Sequence, residues 1–172
     1  MVEELRDPRR VDPDYVATER ASLEQWLDYH RVTLVLKCEG LSDEQRKSRP
    51  VGTSKLSLHG LVRHMAEVER GWFQSVLGRD PDVPTIFYDP AVADSELVPL
   101  DDADWDDDLA AFGAECDAAR AAAAAHGLDD TGLRRGEEVS LRWIYLHMIE
   151  EYARHNGHAD LLREMIDGAV GD

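Results

Sequence analysis

Basic residues are scarce in this chain: 19 lysines and arginines stand against 36 aspartates and glutamates, a formal net charge of −17. A surface that acidic repels phosphate, which argues against nucleic acid and anionic membranes as partners. Cysteine is nearly absent. Cys38 and Cys116 lie far apart and form no CxxC pattern, so they read as reduced thiols of a cytoplasmic protein rather than as a disulfide. No apolar run approaches the roughly 20 residues of a membrane span. The opening Met1-Val2-Glu3-Glu4-Leu5-Arg6 lacks the basic-then-apolar order of a signal peptide. Alternating strand patterns are missing as well, and the β-rich Thr85-Ile86-Phe87-Tyr88 is short and flanked by prolines. The common catalytic and phosphate-binding signatures GxGxxG, Walker A, GxSxG and HExxH do not occur. The acidic cluster from Asp101 to Asp108 lacks the spacing and the glycine of a calcium loop and reads as a solvated helix start. Glu150 and Glu151 are helix neighbours pointing about 100° apart, so they cannot flank one glycosidic bond.

What is present is an ordinary globular balance, 43% hydrophobic and 32% charged over 172 residues, enough for one domain. Residues 1–14 are charged and proline-punctuated and read as a flexible N-terminal arm, leaving 15–168 as the domain. Helical periodicity predicts a first long helix over about 15–38, from Val16, Leu23, Leu27, Leu34 and Cys38, with Gly40 and Leu41 following as a C-terminal stop. Ser42-Asp43-Glu44-Gln45 has capping-box spacing and predicts a short helical turn. A second long helix is expected over 57–77, a third over 104–125, and a last over 140–166, capped by Ser140 and stopped by Gly168. A long connection over 79–100, carrying Pro81, Pro84, Pro90 and Pro99, separates the second from the third. Loops of that length are often functional. The expected fold is all-α: a four-helix bundle with a short extra helix and a long loop between helices 2 and 3.

Histidine is the residue in excess, with seven in the chain. In the last helix His147, Glu151 and His155 rise in steps of four, drifting about 40° per step, and His158 falls near the same stripe. The core face of that helix follows independently from Leu141, Ile144, Tyr145, Met148, Tyr152, Ala159, Leu162 and Ile166. With Met148 as its centre, His155 lies about 20° away and Glu151 about 60° away by helical-wheel arithmetic. A carboxylate and an imidazole that point inward need compensation, and a divalent metal supplies it, because both are standard ligands. A weak local pair on an exposed helix is the competing reading. The best third ligand is His64, mid-helix at the edge of the second apolar face, where two helices of a bundle can converge. His147 sits nearer the boundary and suits a supporting or pocket-lining place, and His158 suits a substrate-contacting or solvated one. His30 falls well inside the apolar arc of the first helix, where a hydrogen-bonded core histidine and a pocket-lining one both remain open. His59 and His126 read as structural or solvent-facing.

Longer stretches carry a resemblance. Ser140-Leu141-Arg142-Trp143, His147-Met148-Ile149-Glu150-Glu151 and Ala153-Arg154-His155-Asn156-Gly157-His158-Ala159-Asp160 are similar to the last-helix signature of the DinB-like superfamily. Leu61-Val62-Arg63-His64-Met65-Ala66-Glu67 resembles its second-helix signature, and Trp26-Leu27-Asp28-Tyr29-His30-Arg31 its first. The resemblance spans about 15–168 and implies a DinB-like bundle, often a homodimer, with a divalent ion (zinc or nickel) held by His64, Glu151 and His155. Glutamate at 151 resembles the mycothiol-dependent maleylpyruvate isomerase type, where many relatives have histidine, and His158 replaces a glutamine common in the family. Characterised members use low-molecular-weight thiols as cosubstrates on small molecules, which implies a thiol-dependent transferase or isomerase whose metal activates the thiol. In that reading His158 and Arg31 handle protons or anions, while His147 and His30 line the pocket. A metal-dependent hydrolase, with water in place of thiol, and a non-catalytic stress-related binding module are the alternatives.

Overall fold

The computed structural model describes residues 7–98 and 102–171. The expectations that rest on Met1 to Arg6, Pro99 and Asp101 lie outside the described residues. The chain is mostly helical. Helix α1 spans Glu19–Cys38 and starts four residues later than expected, because the Thr18 hydroxyl accepts the N–H of Ala21 and ends the helix there. Val16, the first residue of the apolar pattern, is exposed, as is Tyr15. Gly40 follows α1 with φ of +72°, and the buried Leu41 closes over the helix end. The short α2, Asp43–Lys47, carries the reciprocal Ser42–Gln45 capping box.

Helix α3 spans Leu58–Glu69 and continues without a break as a π-helix over Arg70–Leu77. Widened turns of this kind are frequent at functional sites. Helix α4, Trp105–Ala124, begins where Asp104 accepts the N–H groups of Asp106 and Asp107. Helix α5, Leu141–Asp167, runs from the Ser140 cap to Gly168, whose φ of +81° is the left-handed conformation glycine tolerates best. Among the described residues no helix is long and apolar enough to cross a membrane.

The all-α expectation needs one correction. Strands β1, Thr131–Arg134, and β2, Glu137–Ser140, form an antiparallel hairpin in register from Thr131 opposite Ser140 to Arg134 opposite Glu137. Its two-residue turn, Arg135-Gly136, has positive φ at both positions, the hairpin geometry that matches strand twist. The hairpin sits tightly on the end of the π segment. A Cβ on Gly132 would fall 2.2 Å from the Val76 carbonyl oxygen, so only glycine fits there.

Helix α1 packs along α5, and α3 packs against α4, α5 and α1. Leu27, Leu34, Leu61, Met65, Phe73, Ile144, Met148, Tyr152 and Leu162 fill the space between them, each essentially without solvent exposure. Burying each such side chain stabilises the fold by roughly 1.5–3 kcal/mol. The core face expected for α5 is therefore the observed one, and it fixes which way His155 and Glu151 turn.

Candidate metal centre

Helices α3 and α5 bring His64, Glu151 and His155 together. The imidazole centroids of His64 and His155 lie 4.8 Å apart, and Glu151 Oε2 is 3.4 Å from His155 Nε2. One nitrogen or oxygen from each residue falls within 4.8 Å of the others, a triangle that could hold a metal ion. Ligand bonds of about 2.1 Å would draw these atoms somewhat closer, a change within reach of half-buried side chains. Burial, with the charges of His64 and His158 adding to it, depresses the His155 pKa to about 4. At neutral pH that imidazole is uncharged and keeps a lone pair for a ligand bond. The cation nearest Glu151 is the exposed Arg154, with Nη1 at 4.0 Å.

A second acidic partner comes from the long connection. Glu96 Oε1 lies 3.3 Å from His64 Nδ1, while its other oxygen is buried without a hydrogen-bond partner. A carboxylate on one imidazole nitrogen fixes the ring and leaves the other nitrogen facing inward, the arrangement typical of metal-binding histidines. Two features put Glu96 there. Gly60 on α3 lets the loop approach, since a Cβ at that position would fall 2.1 Å from the Leu97 carbonyl oxygen. Glu67 Oε1 accepts the backbone N–H groups of Ile86 (2.6 Å), Phe87 and Tyr88 (2.9 Å) and pins the loop to α3. Thr85-Ile86-Phe87-Tyr88 is therefore a carboxylate-bound loop rather than a strand.

The remaining expected residues divide. His158 joins the group, its Nδ1 3.4 Å from His155 Nδ1. His147 borders it, with Nε2 3.6 Å from Glu151 Oε1 and its ring stacked on Trp143 and set edge-on to Trp72. Together with Glu150 and Glu151 it forms a second possible ligand group. All three of those residues come from one helix, and Glu150 is already paired with Arg154. His30 is held elsewhere: its ring nitrogen and its carbonyl both meet the Asn156 amide. Arg31 is committed elsewhere too, as a bidentate partner of the buried Glu69, with Nε and Nη2 at 2.7 and 2.6 Å. His59 is not solvent-facing as one reading allowed. It is fully buried, and its Nε2 meets Asp108 at 2.7 Å. His126 hydrogen-bonds the Ala122 carbonyl at the end of α4.

An open cleft of about 600 Å³ borders this group, with His64, Trp72, Tyr88, Glu96, Arg134 and Arg135 in its wall. Glu96, Arg134 and Arg135 were invisible as site residues in the sequence, because they reach the cleft from a loop and a turn without periodicity. The one available signal was the length of the proline-rich connection.

No curated protein matches the chain significantly. The family model for mycothiol-S-transferase matches residues 22–168, a span that takes in most of α1, the loop carrying Glu96, the hairpin and every residue of the His64 group. The chain belongs to the mycothiol-S-transferase family, a DinB-like family.

Proposed function

We propose that this protein is a metal-dependent S-transferase that joins a mycothiol-type thiol to a small electrophile, on a DinB-like four-helix bundle with His64, Glu151 and His155 as the ligands. The observation that supports it most is the convergence of two imidazoles and one carboxylate from two helices beside an open cleft. The donor set fits a divalent ion such as zinc or nickel: two neutral nitrogens, one anionic oxygen and a fourth side left open. When bound, such an ion stabilises a thiolate at neutral pH, well below the ordinary thiol pKa near 8.5.

The protein's own groups supply the rest. Glu96 orients His64 through Nδ1, and His147 flanks Glu151. His158 is assigned to take up the thiol proton and pass it on to solvent, from its place against His155. The cleft walls formed by Trp72 and Tyr88 hold the electrophile. Sulfur forms the new bond to carbon, the electrophile's leaving group departs with the bonding pair, and the thiol proton passes to solvent, so thiol plus electrophile give thioether, proton and released anion. The family also supports a homodimer, which light scattering would reveal as about twice the 19.4 kDa chain mass.

The test is product analysis with mycothiol and an alkylating electrophile. The thioether should form, stop after chelation, and return with zinc or nickel. Hydrolysed electrophile without thioether would favour the hydrolase. Bound metal with no turnover of any thiol would favour the binding module.

A further inference from the structure

The hairpin brings two arginines without a carboxylate partner to the wall of the cleft. This chain has nearly twice as many acidic as basic residues, and most of its surface arginines are accordingly taken up. Arg9, Arg20, Arg46, Arg79, Arg142 and Arg163 each hold a carboxylate. Arg134 and Arg135, like the exposed Arg49, do not. Among the described residues neither has an ion pair, although Glu137 stands directly opposite Arg134 in the ladder. Both line the cleft beside His64. The Arg134 guanidinium lies 4.2 Å over the Trp72 ring, an attraction that sets it against the cleft wall.

The backbone adds a second observation. Arg135 has φ of +51°, in a turn position where glycine, asparagine or aspartate is the usual choice. Arginine has no short polar side chain to satisfy its own backbone there, so the position is a poor one for folding; Arg79, which braces the hairpin, shares the conformation with φ of +55°. The hairpin that carries it is rigidly placed. Gly132 rests on Val76, and Arg79 donates from Nε to the Thr131 carbonyl and from Nη2 to the Thr131 hydroxyl. Of the two carboxylates in the same wall, Glu67 is held by three backbone N–H groups, and Glu96 meets His64 through one oxygen and keeps the other buried without a partner.

We infer that Arg134 and Arg135 select an organic anion, a carboxylate on an aromatic or unsaturated body, as the acceptor held in the cleft. Two guanidiniums can bind a carboxylate through paired N–H groups, while Trp72, Val76, Pro84 and Tyr88 supply the surface for the apolar body. The cleft volume of about 600 Å³ suits a ligand of that size. This inference rests on the transferase reading for the identity of the acceptor, but its test needs neither thiol nor turnover.

The experiment is calorimetric titration of metal-loaded protein with naphthalene-2-carboxylate and, separately, with its neutral primary amide. Wild type should bind the carboxylate about tenfold more tightly than the amide, and this preference should fall below about twofold in the Arg134→Gln/Arg135→Asn double variant. Affinity for the amide and metal content should stay unchanged. Asparagine suits the turn, so Arg135→Asn alone should melt no lower than wild type while binding the carboxylate more weakly. Equal affinity of wild type for both probes, no carboxylate binding up to several millimolar, or a double variant that keeps the preference would overturn the inference. A protein without metal or thiol turnover that still prefers the carboxylate would sink the transferase reading alone. Turnover by a charge-blind cleft would sink only this one.

Discussion

Helices α3 and α5 carry two polar clusters between them, and the clusters are resolved in opposite ways. At the end of α3, Glu69 is fully buried and receives both arms of the Arg31 guanidinium and, at 2.7 Å, the Tyr152 hydroxyl. Burial works against the Arg31 charge, and Glu69 more than restores it. Burial, reinforced by Glu69, lifts the nearby Cys116 thiol to about 12 and the Tyr152 phenol well above its usual value, so both stay neutral. Charge is balanced and the donors have acceptors. A turn and a half earlier on α3, His64 meets Glu151 and His155, and the balance is missing. Two imidazoles crowd one carboxylate, and one oxygen of Glu96 is buried without a partner. The first cluster is closed by the chain itself, whereas the second is closed only if something binds. A satisfied network rigidifies a core, and an unsatisfied one beside a cleft is a candidate functional site.

The sharpest way to break this comparison is to remove Glu69. Glu69→Ala leaves Arg31 buried without a counter-charge and should cost about 3–5 kcal/mol in urea denaturation. The double variant Glu69→Leu/Arg31→Met should recover most of that loss, because an apolar pair of similar volume needs no charge balance. If Glu69→Ala unfolds like wild type, the closed cluster is not structural. Glu151→Gln and His155→Ala, at the open cluster, should do the reverse. Bound metal should drop by more than tenfold while stability of the metal-free protein changes by less than about 1 kcal/mol. Full metal occupancy in both variants would discard the three-ligand site.

The two clusters were unequally legible in the sequence. Helix faces carry a 3.6-residue period, so the inward turn of Glu151 and His155 follows from Met148 and Tyr152, and Ser42 and Ser140 mark their caps by spacing. Arg31 and Glu69 are 38 residues apart, and no local pattern says that one will reach the other. The reading of His59 as structural or solvent-facing stayed open for the same reason, since nothing local points to Asp108 on α4. The hairpin escaped because its strands are four residues long, and Glu137-Glu138 breaks any apolar alternation. Glu96 joins His64 through a loop whose course depends on Gly60 and Glu67, and neither residue announces such a contact.

That dependence gives an intermediate effect. Gly60→Ala would drive its Cβ into the Leu97 carbonyl, so the loop must lift. We expect a loss of about 1–3 kcal/mol, together with weaker metal binding as Glu96 is carried away from His64. Glu96→Gln should weaken metal binding by roughly 10–100-fold with little change in stability. Titration with a chromophoric chelator separates the two. If Gly60→Ala lowered stability but left metal affinity intact, Glu96 would not be supporting His64.

The smallest effect concerns His59, buried with Nε2 on Asp108 and Nδ1 without a partner. Burial lowers the His59 pKa, against the pull of Asp108, while Lys47 and Arg63 add to the depression. The folded state therefore takes up a proton less readily than the unfolded chain, whose histidine titrates near 6.5. As pH falls through that value the unfolded state gains a proton that folded His59 does not. Its contribution to stability is thus present above about pH 6.5 and is lost on acidification, by at most about 1.4 kcal/mol per pH unit for one group. Burial depresses His30, His147 and His155 as well, so wild type should lose stability from several sites at once. His59→Gln retains a donor for Asp108 and removes one titrating group. Between pH 8 and pH 5.5 its urea midpoint should fall less steeply than that of wild type, while its metal content at neutral pH stays the same. A parallel fall in both proteins would mean that His59 titrates as it does in the unfolded chain. Metal loss in His59→Gln would mean that the start of α3 is coupled to the His64 group.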